Sequence, residues 1–258
     1  MNTESLTLMR AFLLENGVRY NDSINEMVVR RNRGETFSFE AHLSAMIYAM
    51  LTNQTKWSRI VPHLPEIDDL FFHYNPNEIK RQPGNYFAEG IFKLKCGNIS
   101  MAAQMKNLSY NISVMEKVVD EYGSMDAFIT SEQAHKIVRK LSSYQSPYKI
   151  KMLGEALAWE YIRNVGIDAC KPDTHLRRFL GNARMGHSRT PVASVEETVK
   201  QVELIAKENN IPQSVVDNLI WSYCADGYSE ICTATPKCDI CVIKKFCNYP
   251  CGLPEYNK

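Results

Sequence analysis

The stretch "CTATPKCDICVIKKFC", residues 232 to 247, carries four of the chain's eight cysteines within sixteen residues. Five residues separate the first two cysteines, two separate the middle pair and five separate the last two. Thiolates are the ligands that zinc and iron-sulfur clusters take from proteins. Only the middle pair has the spacing of a zinc knuckle, so the pattern favours a cluster of iron and sulfide over zinc. The predicted ligands are Cys232, Cys238, Cys241 and Cys247.

Length and composition fit a globular protein with an ample core, since 45% of the 258 residues are hydrophobic and 23% are charged. The apolar clusters at the amino end are short and are broken by Arg10 and Glu15. We therefore expect neither a signal peptide nor a membrane span, and an intracellular protein: cytoplasmic, and associated with the nucleoid if the source is bacterial. In a reducing compartment, clustered cysteines indicate metal ligands rather than disulfides.

The charge of the chain is uneven although its net value is only +1. Residues 134 to 189 hold eleven Lys and Arg against four Asp and Glu, which makes this segment about +7 and the remainder about −6. A localised basic segment indicates contact with a polyanion, usually nucleic acid. A solvated basic face is the alternative that charge alone leaves open.

Periodicity along the chain indicates helices and no sheet. In "AHLSAMIYAMLT", residues 41 to 52, apolar residues recur at helical spacing and predict one buried stripe. Residues 62 to 84 are rich in proline and predict irregular connections with at most short helices. Capping boxes are predicted at Thr130 with Gln133 and at Ser194 with Glu197, and Pro212 suits the first turn of a helix reaching Tyr223. The predicted fold class is all-α.

Three motifs, in the same order, resemble the helix-hairpin-helix DNA glycosylases related to endonuclease III. The cysteine loop, preceded by "VVDNLIWSYCADGYSEI", resembles their carboxyl-terminal [4Fe-4S] loop, although the family usually has six residues between the first two cysteines. "KPDTHLRRFLGNARMG" resembles the segment with the catalytic aspartate, matched by Asp173, Thr174 and His175. "AMLTNQTKW" resembles a helix end whose glutamine, here Gln54, enters the DNA stack.

The resemblance implies two helical domains flanking a DNA-binding cleft. Residues 39 to 166 are expected to form a six-helix bundle with a helix-hairpin-helix motif near 141 to 158, and residues 1 to 38 and 167 to 258 an iron-sulfur cluster domain. The implied cofactor is a [4Fe-4S] cluster. The implied partner is double-stranded DNA with a damaged or mismatched base, bound by a monomer and not by a membrane protein.

Asp173 and Gln54 are the residues for which this resemblance implies chemistry. An enzyme that excises a base must extrude it, and the vacated space must be filled, which is the role implied for Gln54. Breaking the base-sugar bond builds positive charge on the sugar, so the Asp173 carboxylate would stabilise the oxocarbenium ion and orient water. The structural alternatives are a polar helix terminus for Gln54 and a helix N-cap for Asp173. A cap and a catalytic carboxylate are compatible.

The hairpin departs from the family pattern Leu-x-Gly-x-Gly. In "IKMLGEALAWEY" the first glycine is replaced by Met152 and only the second remains, as Gly154, so Lys149 or Lys151 is expected to compensate in gripping a phosphate. Members that cut the backbone use a lysine two residues after the second glycine, where this chain has Ala156. The resemblance therefore implies a monofunctional glycosylase.

Two alternatives and the substrate stay open. A displaced Lys149 or Lys151 would give a bifunctional glycosylase and AP lyase, and loss of catalysis would give a damaged-DNA-binding protein. The stretch "EYIRNVG" before "DACKPDTH" also resembles archaeal 8-oxoguanine glycosylases, although those use the missing lysine. Beside Asp173, four basic residues are expected to favour its ionised form and to pair with phosphates: Lys171, Arg177, Arg178 and Arg184. The expected DNA contacts are Gln54, Lys149, Lys151, Gly154, Thr174, His175, Arg177, Lys237, Lys244 and Lys245.

Overall fold

The computed structural model describes residues 1–18 and 23–249, and within these ranges it contains helices, turns and no strand. The all-α prediction is confirmed. No helix among the described residues is long and apolar enough to cross a membrane. The α-helices are α1 Thr3–Glu15, α2 Ser23–Asn32, α3 Phe39–Leu51, α4 Trp57–Ile60, α5 Leu64–Leu70, α6 Pro76–Arg81, α7 Gly84–Lys93, α8 Met101–Lys106, α9 Leu108–Tyr122, α10 Met125–Thr130, α11 Ala134–Ser142, α12 Glu155–Asn164, α13 Thr174–Phe179, α14 Val195–Asn209 and α15 Gln213–Cys224.

The chain divides into two compact units. One unit is Glu26–Ile167, and the other combines Met1–Asn25 with the residues from Asp168 onward. The sequence expectation set these divisions at 38/39 and 166/167, whereas the structure has them at 25/26 and 167/168. The first division therefore falls inside α2, because the carboxyl half of this helix packs with the larger unit.

The unit that contains both chain ends has a core made by α1, α13, α14 and α15. Leu13 of α1, Phe179 of α13 and Tyr223 of α15 are fully buried in this core. Truncating one such side chain to alanine costs about 2–5 kcal/mol, so the packing fixes α13 against α15. Ile231, just before the cysteine loop, and Ile243, within it, are buried in the same core.

The larger unit is built around α3, which packs against α10 and α12. The five apolar residues predicted to form its buried stripe, Leu43, Met46, Ile47, Met50 and Leu51, are all buried. Residues 62 to 84 form short α-helices and 3₁₀ turns, in agreement with the sequence expectation. Phe72, His73 and Tyr74 within this region have φ of +51°, +49° and +64°.

One of the two predicted capping boxes is confirmed and the other is wrong. The Ser194 hydroxyl accepts from the Glu197 amide, and the Glu197 carboxylate accepts from the Ser194 amide, at the start of α14. Thr130 instead ends α10, and its hydroxyl donates to the Asp126 carbonyl one turn back. The helix expected at "AHKIVRKL" does form as α11, without a side-chain cap, and Pro212 directly precedes α15.

Candidate active site and DNA-contact residues

Asp173 is the N-cap of α13. Its Oδ1 accepts from the amides of His175 at 2.8 Å and Leu176 at 3.1 Å. The other oxygen, Oδ2, accepts no hydrogen bond from the residues that the structure describes. The cap therefore holds the carboxylate in one orientation and leaves one oxygen available for another partner.

The segment leading to Asp173 is fixed on α15 by two other carboxylates. Asp168 accepts from the amides of Gln213 at 3.1 Å and Ser214 at 3.0 Å, which cap the amino end of α15. The buried Asp217, within α15, accepts from the Lys171 amide at 2.5 Å. The backbone is thus held by hydrogen bonds from 168 to 176, with Asp173 in between.

His175 and Arg178 lie on α13 just after Asp173. Arg178 Nη2 is 3.2 Å from His175 Nδ1 and donates to the Cys232 carbonyl at 3.1 Å. Because a guanidinium can only donate, His175 Nδ1 accepts and the imidazole is neutral with its proton on Nε2. Burial lowers the pKa of His175, in agreement with that protonation state. Thr174, the first residue of α13, is exposed.

The arginines predicted near Asp173 have different roles in the structure. Arg184 is only 5% exposed, and its Nη1 donates to Cys232 Sγ at 3.0 Å while Nη2 donates to the Thr233 and Ala234 carbonyls. The prediction that Arg184 pairs with phosphates is wrong because its guanidinium is buried against the cysteine loop. Arg177 Nε donates to the Ala193 carbonyl at 2.8 Å, and its side chain is partly exposed.

The four cysteines predicted as ligands line a single cavity. It is small, with a volume of about 20 Å³, is partly open to solvent, and is lined by Arg184, Ile231, Cys232, Pro236, Cys238, Cys241, Lys244, Cys247 and Tyr249. Within residues 1–18 and 23–249, no three His, Cys, Asp or Glu side chains are grouped to hold a single metal ion. Cys251 lies outside the described residues.

Hydrogen-bond donors point at three of these sulfurs. Arg184 donates to Cys232 Sγ, as described above. The Tyr223 hydroxyl is 3.3 Å from Cys241 Sγ, and the Tyr249 amide is 3.4 Å from Cys247 Sγ. A hydrogen bond with Cys224, opposed by burial and assisted by the charge of Arg184, lowers the pKa of Cys232 to about 6. The environment of Cys232 therefore favours its thiolate, the form that binds metals.

The lysines of the cysteine loop are exposed and differ in their partners. Lys245 Nζ pairs with Glu4 at 2.6 Å and Lys237 Nζ with Glu230 at 3.4 Å. Lys244 has no ion-pair partner within the described part of the chain. Exposed pairs of this kind contribute about 0–1 kcal/mol, so both paired lysines remain free to exchange a carboxylate for a phosphate.

Gln54 lies in the turn that follows α3. Its side chain is exposed and its φ is +55°, the left-handed region that costs a non-glycine residue about 1 kcal/mol or more. Backbone strain of this kind is concentrated at functional sites. Lys95 and Asn210 have the same left-handed conformation just after α7 and α14, so this backbone is compatible with a polar helix terminus as well.

A second exposed side chain, Ile99, lies on the loop between α7 and α8 and was not identified from the sequence. Ile99 is 90% exposed, which is unusual for isoleucine. Its loop is firmly held, because Asn98 Nδ2 donates to the Met50 carbonyl of α3 at 3.2 Å and Asn98 Oδ1 accepts from the Ser100 amide. The hydrogen bond from Asn98 to the Met50 carbonyl joins the Ile99 loop to the end of α3, just before Gln54. Only its exposure could have revealed Ile99, and exposure is not visible in the sequence.

The hairpin before α12 keeps the backbone conformation of a glycine at Met152, which has φ +63°. Gly154 is the N-cap of α12 with φ −77°, and a Cβ added there would meet no atom within 4 Å. Asn111 of α9 clamps the hairpin, since its Oδ1 accepts from the Lys151 amide at 2.8 Å and its Nδ2 donates to the Lys151 carbonyl at 3.0 Å.

The position of the lyase lysine is Ala156, the second residue of α12, and it is partly exposed. Of the two candidate replacements, Lys149 is the more buried. Its Nζ donates to the Leu153 carbonyl at 2.5 Å, and burial lowers its pKa. Lys151 is exposed, and its Nζ lies 3.7 Å from the centroid of the Tyr110 ring.

Comparison with known proteins gives one informative similarity. No family model and no solved structure matches the chain. Over 114 residues it is 32% identical to a protein of Aquifex aeolicus (strain VF5) named 8-oxoguanine DNA glycosylase/AP lyase. The match covers 41% of this chain and 50% of that protein, so this chain spans about half the length of the relative. Its name falls in the class that the three sequence motifs resemble.

Proposed function

We propose that this chain is a DNA glycosylase of base excision repair, which flips a damaged or mismatched base out of the duplex and hydrolyses its N-glycosidic bond. The observation that carries the proposal is the half-engaged carboxylate of Asp173, with Oδ1 fixed by the α13 amides. The similarity to the Aquifex aeolicus protein supports the same class of reaction.

The proposed chemistry uses the free oxygen of Asp173. As the base-sugar bond lengthens, positive charge develops on the sugar, and a fixed carboxylate stabilises it without reorganising. The same group orients the water that attacks the sugar, and the electron pair of the broken bond leaves with the base. The His175 imidazole, two residues after Asp173, accepts from Arg178 at Nδ1 and therefore does not add a second positive charge beside the sugar.

The space left by the extruded base is proposed to be filled by Gln54 together with Ile99. The first is held by a strained left-handed turn, and the second by the hydrogen bond of Asn98 to α3. Inserting an apolar and a polar side chain offsets part of the unstacking energy, a few kcal/mol, that base flipping costs.

The hairpin is proposed to grip a DNA phosphate through the amino end of α12. Gly154 supports this role because its missing side chain relieves no clash within the protein, so the open space serves the approach of something else. Phosphates are favoured at helix amino ends. Lys149, Lys151 and, in the other unit, Thr174, His175, Arg177, Lys237, Lys244 and Lys245 are proposed as further contacts.

The cysteine cavity is proposed to hold a [4Fe-4S] cluster bound by Cys232, Cys238, Cys241 and Cys247. Four thiolate ligands around one cavity, with hydrogen-bond donors on the sulfurs, fit such a cluster. Only Cys238 and Cys241 have the two-residue spacing of a zinc knuckle, and this spacing favours the cluster over a zinc ion. When bound, the cluster would hold the loop rigid, while Asp173 performs the chemistry.

The experiment is a panel of duplexes, each with one lesion or mismatch, scored for base release by wild type and Asp173→Asn. The panel begins with 8-oxoguanine, because the Aquifex aeolicus protein is named for it, and includes uracil, mispaired thymine and an alkylated purine. We expect release from at least one duplex and a loss of about 10²- to 10⁴-fold in Asp173→Asn. Asparagine retains the N-cap, so this variant is expected to fold normally, whereas Asp173→Ala also loses about 1 kcal/mol of stability.

Release that Asp173→Asn leaves unchanged would disprove the role of Asp173. Specific binding of a lesion duplex without any release would instead support the damaged-DNA-binding alternative.

Removal of the base with cleavage of the DNA backbone is the second candidate, and the lowered pKa of Lys149 favours it. A lysine must lose its proton to attack the sugar as a nucleophile, and burial makes that loss easier for Lys149. Borohydride reduction during turnover tests it. A covalent adduct that disappears in Lys149→Gln would replace the monofunctional proposal, and the absence of an adduct would support it.

A further inference from the structure

The hairpin and the neighbouring helix α9 carry exposed tyrosine and methionine side chains that the proposed base excision does not use. Tyr144 is 94% exposed, Tyr110 is 47% exposed and Met152 is 39% exposed. Large apolar side chains at this exposure on adjacent segments indicate a contact surface. We name Tyr110, Tyr144, Lys149, Lys151 and Met152 the hairpin surface.

These five residues are held next to one another. The two hydrogen bonds of Asn111 attach the Lys151 backbone to α9, beside Tyr110. Lys151 Nζ lies 3.7 Å from the centroid of the Tyr110 ring, and Lys149 Nζ lies 5.4 Å from the centroid of the Tyr144 ring. Each exposed tyrosine is therefore accompanied by a cation.

The surface is positively charged and has a defined backbone. Neither Lys149 nor Lys151 forms an ion pair with any residue in the described ranges, so neither charge is neutralised. Lys151 is exposed, whereas the partly buried Lys149 Nζ also donates to the Leu153 carbonyl. The backbone is closed by hydrogen bonds from the Ile150 amide to the Leu141 carbonyl and from the Lys149 amide to the Ser146 carbonyl. Little conformational entropy is then lost when a ligand binds.

We propose that the hairpin surface binds single-stranded DNA, stacking an unpaired base on Tyr144 and holding the neighbouring phosphates with Lys149 and Lys151. Exposed aromatic rings flanked by cations are the features that recognise single strands, because every base has a face that can stack. In a duplex that face is already covered by neighbouring bases, so a duplex offers only its phosphates. This activity goes beyond base excision, since it requires neither a lesion nor Asp173.

The test is the affinity of the full-length protein for an undamaged single-stranded oligonucleotide and for the matching duplex, measured by fluorescence anisotropy. We expect Tyr144→Ala to weaken single-strand binding about tenfold, and Tyr144→Phe to stay within about twofold of wild type, because phenylalanine keeps the ring. Both variants are expected to fold, since the side chain is almost fully exposed. Tyr86→Ala removes an exposed tyrosine that packs on Phe72 and Phe87 and serves as the matched control.

Two further readings separate stacking from attraction to phosphates. A 2-aminopurine base in the single strand should change its fluorescence with wild type and Tyr144→Phe but not with Tyr144→Ala. Lys151→Gln should lower the slope of log K against log salt by about 0.7 for the single strand. If Tyr144→Ala binds both DNA forms like wild type, the stacking proposal is wrong, and the hairpin contacts phosphates only. Base release from a lesion duplex is scored separately, so either proposal can fail alone.

Discussion

Two neighbouring residues of the hairpin, Met152 and Gly154, differ in what their backbone conformations require. Met152 has φ +63°, a conformation suited to glycine, while Gly154 has φ −77°, which any residue adopts. The glycine that the chain retains is thus the one that its own backbone does not need. Glycine is also a favourable N-cap, and the open space beside it would in addition let a partner approach the amino end of α12.

Gly154→Ala should leave folding intact and weaken DNA binding. Alanine fits without a clash and restricts the unfolded chain, which stabilises by about 0.4–1 kcal/mol, but alanine is a poorer N-cap than glycine, so the free energy of unfolding should change by less than about 1 kcal/mol. The added methyl group lies where a phosphate would approach, and duplex affinity should fall. Urea denaturation and duplex binding measure the two effects. The matched variant is Met152→Gly, in which relief of left-handed strain of about 1–2 kcal/mol is partly offset by glycine's entropy, with duplex affinity retained. A destabilised Gly154→Ala that binds DNA normally would refute this interpretation.

At the scale of single residues, the sequence predicts those roles that depend on neighbouring residues in the chain. The capping role of Asp173 follows from Pro172 before it and a helical pattern after it, and the structure contains that cap. The burial of Arg184 depends on a loop 48 residues away in sequence, so local reasoning assigned it to phosphates. The exposure of Ile99 and the left-handed backbone of Gln54 also depend on tertiary packing, and no sequence pattern signals them.

The element that first suggested a function, the cysteine loop, can be tested apart from activity. We expect protein purified without oxygen to contain about four irons and four sulfides per chain and to absorb visible light. Cys238→Ser should lose most of that iron, because it removes one thiolate from the cavity. Cys96→Ala is the control: Cys96 is buried in the larger unit, where its thiol donates to the Arg59 carbonyl, and this variant should retain all of the iron. Stoichiometric zinc in place of iron would contradict the cluster.

Helix boundaries show the limits of local signals at the scale of elements. Thr-x-x-Gln at 130 to 133 fits a capping box, but Thr130 hydrogen-bonds backward to the Asp126 carbonyl and ends α10. Threonine satisfies either requirement, and the choice is made by Asp126, which is held by other helices. Ser194 and Glu197 have no such competing partner, and there the local signal is sufficient.

The larger unit is joined by a buried polar network that no local pattern reveals. Arg31 of α2 donates to both oxygens of Asp126 at 3.1 and 2.7 Å and to the Val165 carbonyl. His42 of α3 contacts the same carboxylate at 3.2 Å through Nε2 and the Tyr161 hydroxyl at 2.7 Å through Nδ1. A carboxylate only accepts, so neutral His42 donates from Nε2 and accepts from Tyr161. Four helices therefore share one network across a separation of more than 80 residues.

Protonation of this network sets the direction of the pH dependence. Burial, only partly opposed by Asp126, lowers the pKa of His42 from 6.5 to about 4. The unfolded chain therefore binds a proton at His42 below about pH 6.5, whereas the folded chain does not until about pH 4, so stability is lost as pH falls between these values. Burial also opposes ionisation of Asp126, but Arg31 and the Phe37 amide hold the pKa of that carboxyl below its ordinary value, and its contribution is lost at still lower pH.

We expect the free energy of unfolding to fall by about 1.4 kcal/mol from pH 7.5 to 5.5, and by about 2.5 kcal/mol to pH 4.5, through His42 alone. Urea denaturation at the three pH values measures the decrease. The matched variant is His42→Gln, whose amide nitrogen can donate to Asp126 and whose carbonyl can accept from Tyr161 without titrating. Burial also lowers the pKa of His175, but His175 titrates in both proteins, so the difference between them isolates His42. Equal pH dependence in wild type and variant would mean that the pKa of His42 is the same in the folded and unfolded chains. A wild type that gains stability relative to the variant as pH falls would mean that the network holds a charged imidazole between Asp126 and Tyr161.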